Sequence, residues 1–153
     1  MSYAFIEGWA HYSEKMMLDE GFGNKSDPMI AAKYRLAQSG EALLRLCRLC
    51  VSIKMHCEGM SVDNATKFFM DNWHQGEKPS KQEAIRGSFD PGYLNYTLGK
   101  LEIHKLREDY KKQEGDSFNL KKFHDALLDN GAPPIRFLRE ILLKDKKIWR
   151  DIL

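Results

Sequence analysis

The sequence predicts an all-α bundle of about five to seven helices, and three observations carry that reading. Apolar residues recur at three- and four-residue spacing along nearly the whole chain. Cap residues and prolines punctuate those runs where helices should begin. Nowhere does an apolar residue alternate with a polar one as a half-buried strand requires. With 153 residues, 42% of them hydrophobic and 30% charged, the chain suits one helical domain with its own core, residues 1–153.

The elements follow in order. In "FIEGWAHYSEKM", Phe5, Trp9, Tyr12 and Met16 share one helical face and Glu7, His11, Glu14 and Leu18 the opposite one. The first helix is predicted from Tyr3 to Glu20, with its aromatic face buried on the second helix and its polar face wet. "GFGNKSDP" ends it, and Asp27 as N-cap with Pro28 at the first helical position opens a second helix of about 30 residues reaching Glu58. The pattern of that helix runs through Tyr34, Leu43, Leu44, Leu46, Leu49 and Ile53. Ser61 caps a third helix carrying Val62, Ala65, Phe68 and Phe69. "HQGEKPSKQEAIRGSFDPG" reads as connection around a short helix from Lys81 to Arg86. A further helix starts near Pro91 and carries Tyr93, Leu94, Leu98, Leu101 and Leu106. Ser117 or Asn119 opens "LKKFHDALLDNG", closed by Gly131, and the last helix starts on the prolines of "PPIRFLREILL".

Composition excludes several functions. The 24 Lys and Arg against 22 Asp and Glu are scattered, so nothing calls for nucleic acid or an anionic membrane as partner. No run approaches the roughly 20 apolar residues of a membrane span, and the first residues lack the order of a signal peptide. The chain as written reads as soluble and cytoplasmic. Cys47, Cys50 and Cys57 read as small hydrophobes in a reducing compartment. On one helix, Cys47 and Cys57 stand about 15 Å apart along the axis, too far to share a tetrahedral zinc.

Glu7, His11 and Glu14 form the sharpest chemical candidate, since positions i, i+4 and i+7 stack a carboxylate and an imidazole on one face. A polar stripe opposite an aromatic one is most often the wet side of an amphipathic helix. Gly8 inside it costs roughly 1 kcal/mol against alanine, which implies that something needs room beside it. His56 suits a helix C-terminus, His74 a loop, His104 a charged surface, and His124 a bond to a neighbouring helix end. The chain holds no HExxH, no ExxH pair, no GxSxG and no phosphate loop.

Four segments in order resemble the bacterial family known as domain of unknown function 885: "FIEGWAHYSEKMMLDEGFG", "RLCRLCVSIKMHCEGMSVDNATKFF", "FDPGYLNYTLGKLEIHKLRED" and "FNLKKFHDALLDNGAPP". They are similar to its EGWA-x-Y-x-E, RLVVD-x-GLH, PGQ-x-x-SY and FH-x-x-LL motifs. The resemblance implies a helical zinc peptidase of the gluzincin kind, acting on peptides, with this chain as the C-terminal part of its catalytic domain. The HExxPGH motif of that family lies upstream of EGWA and is not in this chain. By position Glu7 would be the third zinc ligand, with Gly8 letting its helix approach the absent one. Tyr96 would donate to the oxyanion, with Tyr93 as competitor, and both equally suit the core as aromatics. His11 would orient Glu7 or touch substrate, and His56 and Arg86 would line the cleft. Zinc belongs to the full-length protein, and this chain alone is expected to bind none tightly and to be inactive. Self-association through the surface left by the absent part is a further expectation. The competing class is a noncatalytic helical binding or scaffold module. The chain departs from the family pattern at Ser52, where the family has an acid, at Gly87, where it has a tyrosine, and at Tyr93, where it has a glutamine.

Overall fold

The structure is a computed structural model and describes residues 1–23 and 27–153. Its helices are α1 (Tyr3–Asp19), α2 (Pro28–Glu58), α3 (Val62–Trp73), α4 (Glu77–Phe89), α5 (Asn95–Glu114), α6 (Leu120–Leu128) and α7 (Ile135–Leu142). Three 3₁₀ turns stand at Pro91–Leu94, Gly115–Ser117 and Lys146–Ile148. Among the described residues there is no strand. None of their helices is long and apolar enough to cross a membrane.

Side chains set the starts. Ser2 accepts from the Phe5 amide at 3.3 Å, Asp27 from Met29 at 2.8 Å, Ser61 from Asn64 at 3.2 Å and Asn119 from Lys122 at 2.9 Å. Asn119, not Ser117, therefore caps α6. The break expected at "GFGNKSDP" is described at Gly21–Gly23 and Asp27, while residues 24–26 lie outside the described residues.

Two elements differ from expectation. α4 spans Glu77–Phe89, well beyond Lys81–Arg86. Pro79 does not delay it, because a first-turn amide has no partner within the helix to lose. Pro91 opens a 3₁₀ turn, and the α-helix begins only at Asn95.

The chain builds two cores. Phe5 and Tyr12 of α1 join Ile103 and Leu106 of α5, Phe123 and Leu127 of α6, and Ile135 and Leu138 of α7, with Trp9 and Met16 at the edge. Leu44, Cys47 and Val51 of α2 meet Ala65 and Phe69 of α3 and Ala84 of α4 in the second. The aromatic face of α1 is thus buried in the cluster it builds with α5, α6 and α7, to which α2 contributes no buried residue. Cys47 is buried, Cys50 half-buried and Cys57 exposed, so the small-hydrophobe reading holds for the first but not the last.

Glycine explains the choice of partner. A Cβ on Gly8 would stand 2.4 Å from the Gly99 carbonyl carbon, and one on Gly99 1.8 Å from the Ala4 oxygen. The backbones of α1 and α5 meet directly, and only glycine permits that approach. The room that Gly8 needs is therefore filled by α5 of this same chain. At the far end, the fully buried Arg139 bonds Asp109 at 2.6 Å and the Ile148 carbonyl at 2.7 Å, fastening the last turn onto the first core.

Candidate functional site

The α1–α5 crossing carries Glu7, next to Gly8, and Tyr96, three residues before Gly99. One turn ahead of Glu7, the ring of Tyr3 lies over Gly92, where a Cβ would stand 2.8 Å from its Cε1. This docks the start of α1 on the 3₁₀ turn. Burial raises the Tyr3 hydroxyl, and the negative charges of Tyr96, Asp90 and Glu7 raise it further, against the pull of Arg86. Those four groups therefore lie within electrostatic reach of Tyr3. Tyr3 and Asp90 escape the sequence reading, although each stands four residues from a named candidate.

Around this face every guanidinium is committed. Arg45 holds Glu14 through two bonds of 2.8 and 3.0 Å, and Arg48 holds Glu83 through two of 2.8 Å. Arg86 donates twice to one oxygen of Asp90, at 3.1 and 3.0 Å. Arg45 and Arg48 also lie 5.5 and 5.9 Å from the centre of the Tyr96 ring. Among the described residues Glu7 makes no ion pair, and neither Glu7 nor the Tyr96 hydroxyl makes a hydrogen bond. Both remain half-buried and reachable.

Tyr93 lies beneath them. It is fully buried, burial pushes its hydroxyl up, and that oxygen has no partner among the described residues. Arg48 and Arg86 flank its ring at 5.8 and 5.9 Å. A Cβ on Gly87 would stand 2.2 Å from the Tyr93 hydroxyl. The two departures from the family pattern, at Gly87 and at Tyr93, thus meet in space: the ring at 93 fills the volume that a side chain at 87 would need. Ser52 donates to the Pro91 carbonyl at 2.9 Å, joining α2 to the turn that carries Tyr93.

The histidines take other roles. His11 is 1% exposed and its Nδ1 stands 3.4 Å from Glu14, so its face of α1 is not wet. Burial, then the charges of Lys100, Arg45 and His104, lower its pKa to about 3, which leaves the ring neutral. Its polar partner is Glu14, and among the described residues it makes no bond to Glu7. His56 donates from Nε2 to the Gly87 carbonyl at 2.8 Å, tying the end of α2 to α4. His124 pairs with the Tyr12 hydroxyl at 2.8 Å rather than with a helix end. His104 packs edge-on to Tyr12, and burial lowers its pKa.

No group of three His, Cys, Asp or Glu among the described residues could hold a metal ion. Glu7 is a single donor, and zinc needs three or four. An apolar groove of about 330 Å³ lies apart from this face, lined by Met17, Leu18 and Phe22 on one side and Tyr34, Ala37 and Gln38 on the other.

Two solved structures resemble the chain. One is a candidate lipoprotein of unknown function from Shewanella oneidensis, 31% identical, with a TM-score of 0.77 over 92% of this chain and 25% of that one. The other is a candidate lipoprotein from Colwellia psychrerythraea, 31% identical, with a TM-score of 0.80 over 97% of this chain and 24% of that one. The chain spans about a quarter of the length of either. No curated protein matches it. Residues 1–142 match the profile described as bacterial protein of unknown function, DUF885, and the chain belongs to that family.

Proposed function

We propose that this chain is the C-terminal part of the catalytic domain of a zinc-dependent peptidase, supplying one metal ligand, Glu7, and one wall of the substrate cleft. One observation carries the reading. Where Glu14, Glu83 and Asp90 are each held by an arginine, Glu7 is left without an ion pair, and the Tyr96 hydroxyl without a hydrogen bond, among the described residues. A carboxylate that no cation of its own chain holds keeps its oxygens available to a metal.

The donors of this chain do not make a zinc site alone, and Glu7 fits as one ligand of a site completed from outside residues 1–153. Zinc held there would polarise a water for attack on a peptide carbonyl. The residues of this chain do the rest. Tyr96 donates its hydroxyl proton in a hydrogen bond to the oxygen that gains charge as the carbonyl is attacked, and Arg45 and Arg48 keep its ring in place. Arg86 lines the rim. Tyr93 supports from below and His56 from the side, through Gly87.

The test uses the polypeptide extended upstream to include an HExxPGH segment. It should bind zinc and cleave peptides, and Glu7→Gln should lose the metal, because a neutral amide is a poor ligand. Tyr96→Phe should keep zinc and substrate binding while turnover falls by about 100- to 1,000-fold, the loss typical of one oxyanion donor. A Glu7→Gln protein with full zinc and full activity overturns the proposal and leaves a noncatalytic helical module. The likeness to two candidate lipoproteins supports export of the whole protein over the cytoplasmic placement read from the cysteines. Cell fractionation separates the two.

A further inference from the structure

Tyr96 is half-buried, and among the described residues its hydroxyl makes no hydrogen bond. A phenol left free for a substrate is not aimed by its own oxygen, so the groups that touch its ring must aim it. Two guanidiniums do so. Arg45 stands 5.5 Å and Arg48 5.9 Å from the centre of the ring. Both come from α2, at a spacing that makes them neighbours on the surface of that helix.

An arginine has too many rotatable bonds to aim anything unless its far end is held. Each of these two is held, and from a different helix. Glu14 of α1 takes both Nη atoms of Arg45, at 2.8 and 3.0 Å. Glu83 of α4 takes Nε and Nη2 of Arg48, at 2.8 Å each. Two parallel bonds fix the plane of a guanidinium as well as its place. Arg45 is 14% exposed, Arg48 11% and Glu83 17%, so these are not the loose surface pairs that contribute little. Carboxylate, guanidinium and ring therefore form two chains of contacts that converge on one phenol.

We propose that Glu14 and Glu83 are positioning residues for Tyr96, acting through Arg45 and Arg48 to hold its hydroxyl where the attacked carbonyl oxygen of a peptide comes to lie. The proposal rests on the peptidase reading for what the hydroxyl meets, but not for how the hydroxyl is held. It gives Glu14, the last member of the stripe with Glu7 and His11, a task other than metal ligation. It also brings the second core into the site, because Glu83 stands next to Ala84, which is buried there.

Glu83 is the residue to change first. Among the described residues its carboxylate bonds Arg48 alone, whereas Glu14 also faces His11 at 3.4 Å. In the 153-residue chain, Glu83→Gln should move the nuclear magnetic resonance signals of the Tyr96 ring and speed exchange of the Arg48 Nε proton. Asp71→Asn, at an exposed pair on α3, should do neither. In the polypeptide extended upstream, Glu83→Gln should keep zinc and KM while kcat falls by about tenfold, less than for loss of the hydroxyl itself. On a Tyr96→Phe background the same change should lower kcat by less than about twofold, since its effect passes through the hydroxyl. Arg48→Lys keeps both charges and loses only the two-pronged hold, so it should lower kcat as Glu83→Gln does, and it serves if Glu83→Gln fails to fold. Unmoved ring signals overturn the proposal. So does an undiminished kcat, or a fall of equal size with and without the hydroxyl. The ring signals need neither zinc nor turnover, so they decide the proposal even where the extended polypeptide cleaves nothing, a result that refutes the peptidase reading alone.

Discussion

At the scale of single residues, His11 has the clearest consequence. Its ordinary value of 6.5 is lowered to about 3, by burial first and then by Lys100, Arg45 and His104 around it. Between those values the unfolded chain takes up a proton that the folded chain refuses, so stability falls as pH drops through this window, by up to about 1.4 kcal/mol per pH unit. His104 and His124, also lowered chiefly by burial, add to the fall. Glu14 and Glu102, raised by burial above their ordinary 4.5, take protons first in the folded state and pull the other way. With three imidazoles against two carboxyls, the melting temperature should drop from pH 7 to pH 5. His11→Gln should shrink that drop, and an undiminished drop in the variant would refute the assignment. The sequence showed His11 as one member of a polar stripe but not its burial. Spacing reports which residues share a face; only the position of Arg45 and Lys100 on two other helices decides that the face is covered. Glu7 and Tyr96 were legible through motif resemblance, whereas Tyr3 and Asp90 belong to no chemical pattern and join the site through packing alone.

At the scale of elements, helix identity was legible wherever a cap and an apolar period agree, as at Asp27 and Ser61. It was not legible in α4. There Ser80, Ala84 and Gly87 are the buried residues, too small to print an apolar period. The partner of α1 was hidden for a related reason. Gly8 announced a close approach without naming what approaches, and Gly99, ninety-one positions later by subtraction, supplies the other half. This crossing is testable. Gly99→Ala drives a methyl into the Ala4 carbonyl, and Gly8→Ala drives one into the Gly99 backbone, so the helices must part. Each should cost roughly 1–3 kcal/mol, with Gly99→Ala at the upper end, or several degrees in melting temperature. Gly40→Ala, in an open stretch of α2, meets nothing and should be stabilising by up to about 1 kcal/mol. A Gly99→Ala protein that melts like Gly40→Ala would show that the two backbones do not touch.

At the scale of the molecule, α2 enters the second core through one half only. Every fully buried residue of this helix lies at or after Leu44, while its first half, from Pro28 to Leu43, buries none. Among the described residues that half is tied to the end of α1 and the turn after it, where Arg35 bonds Asp19 at 3.1 Å and the Leu18 carbonyl at 3.0 Å and Tyr34 meets Phe22 edge-on. A helix secured along one half should open from the other, since local stability follows buried contact. In the 153-residue chain, amide hydrogen exchange should therefore be slowest around Leu44 to Ser52 and faster by orders of magnitude toward Met29. Uniform protection along α2 would mean that the first half is stable by its own propensity.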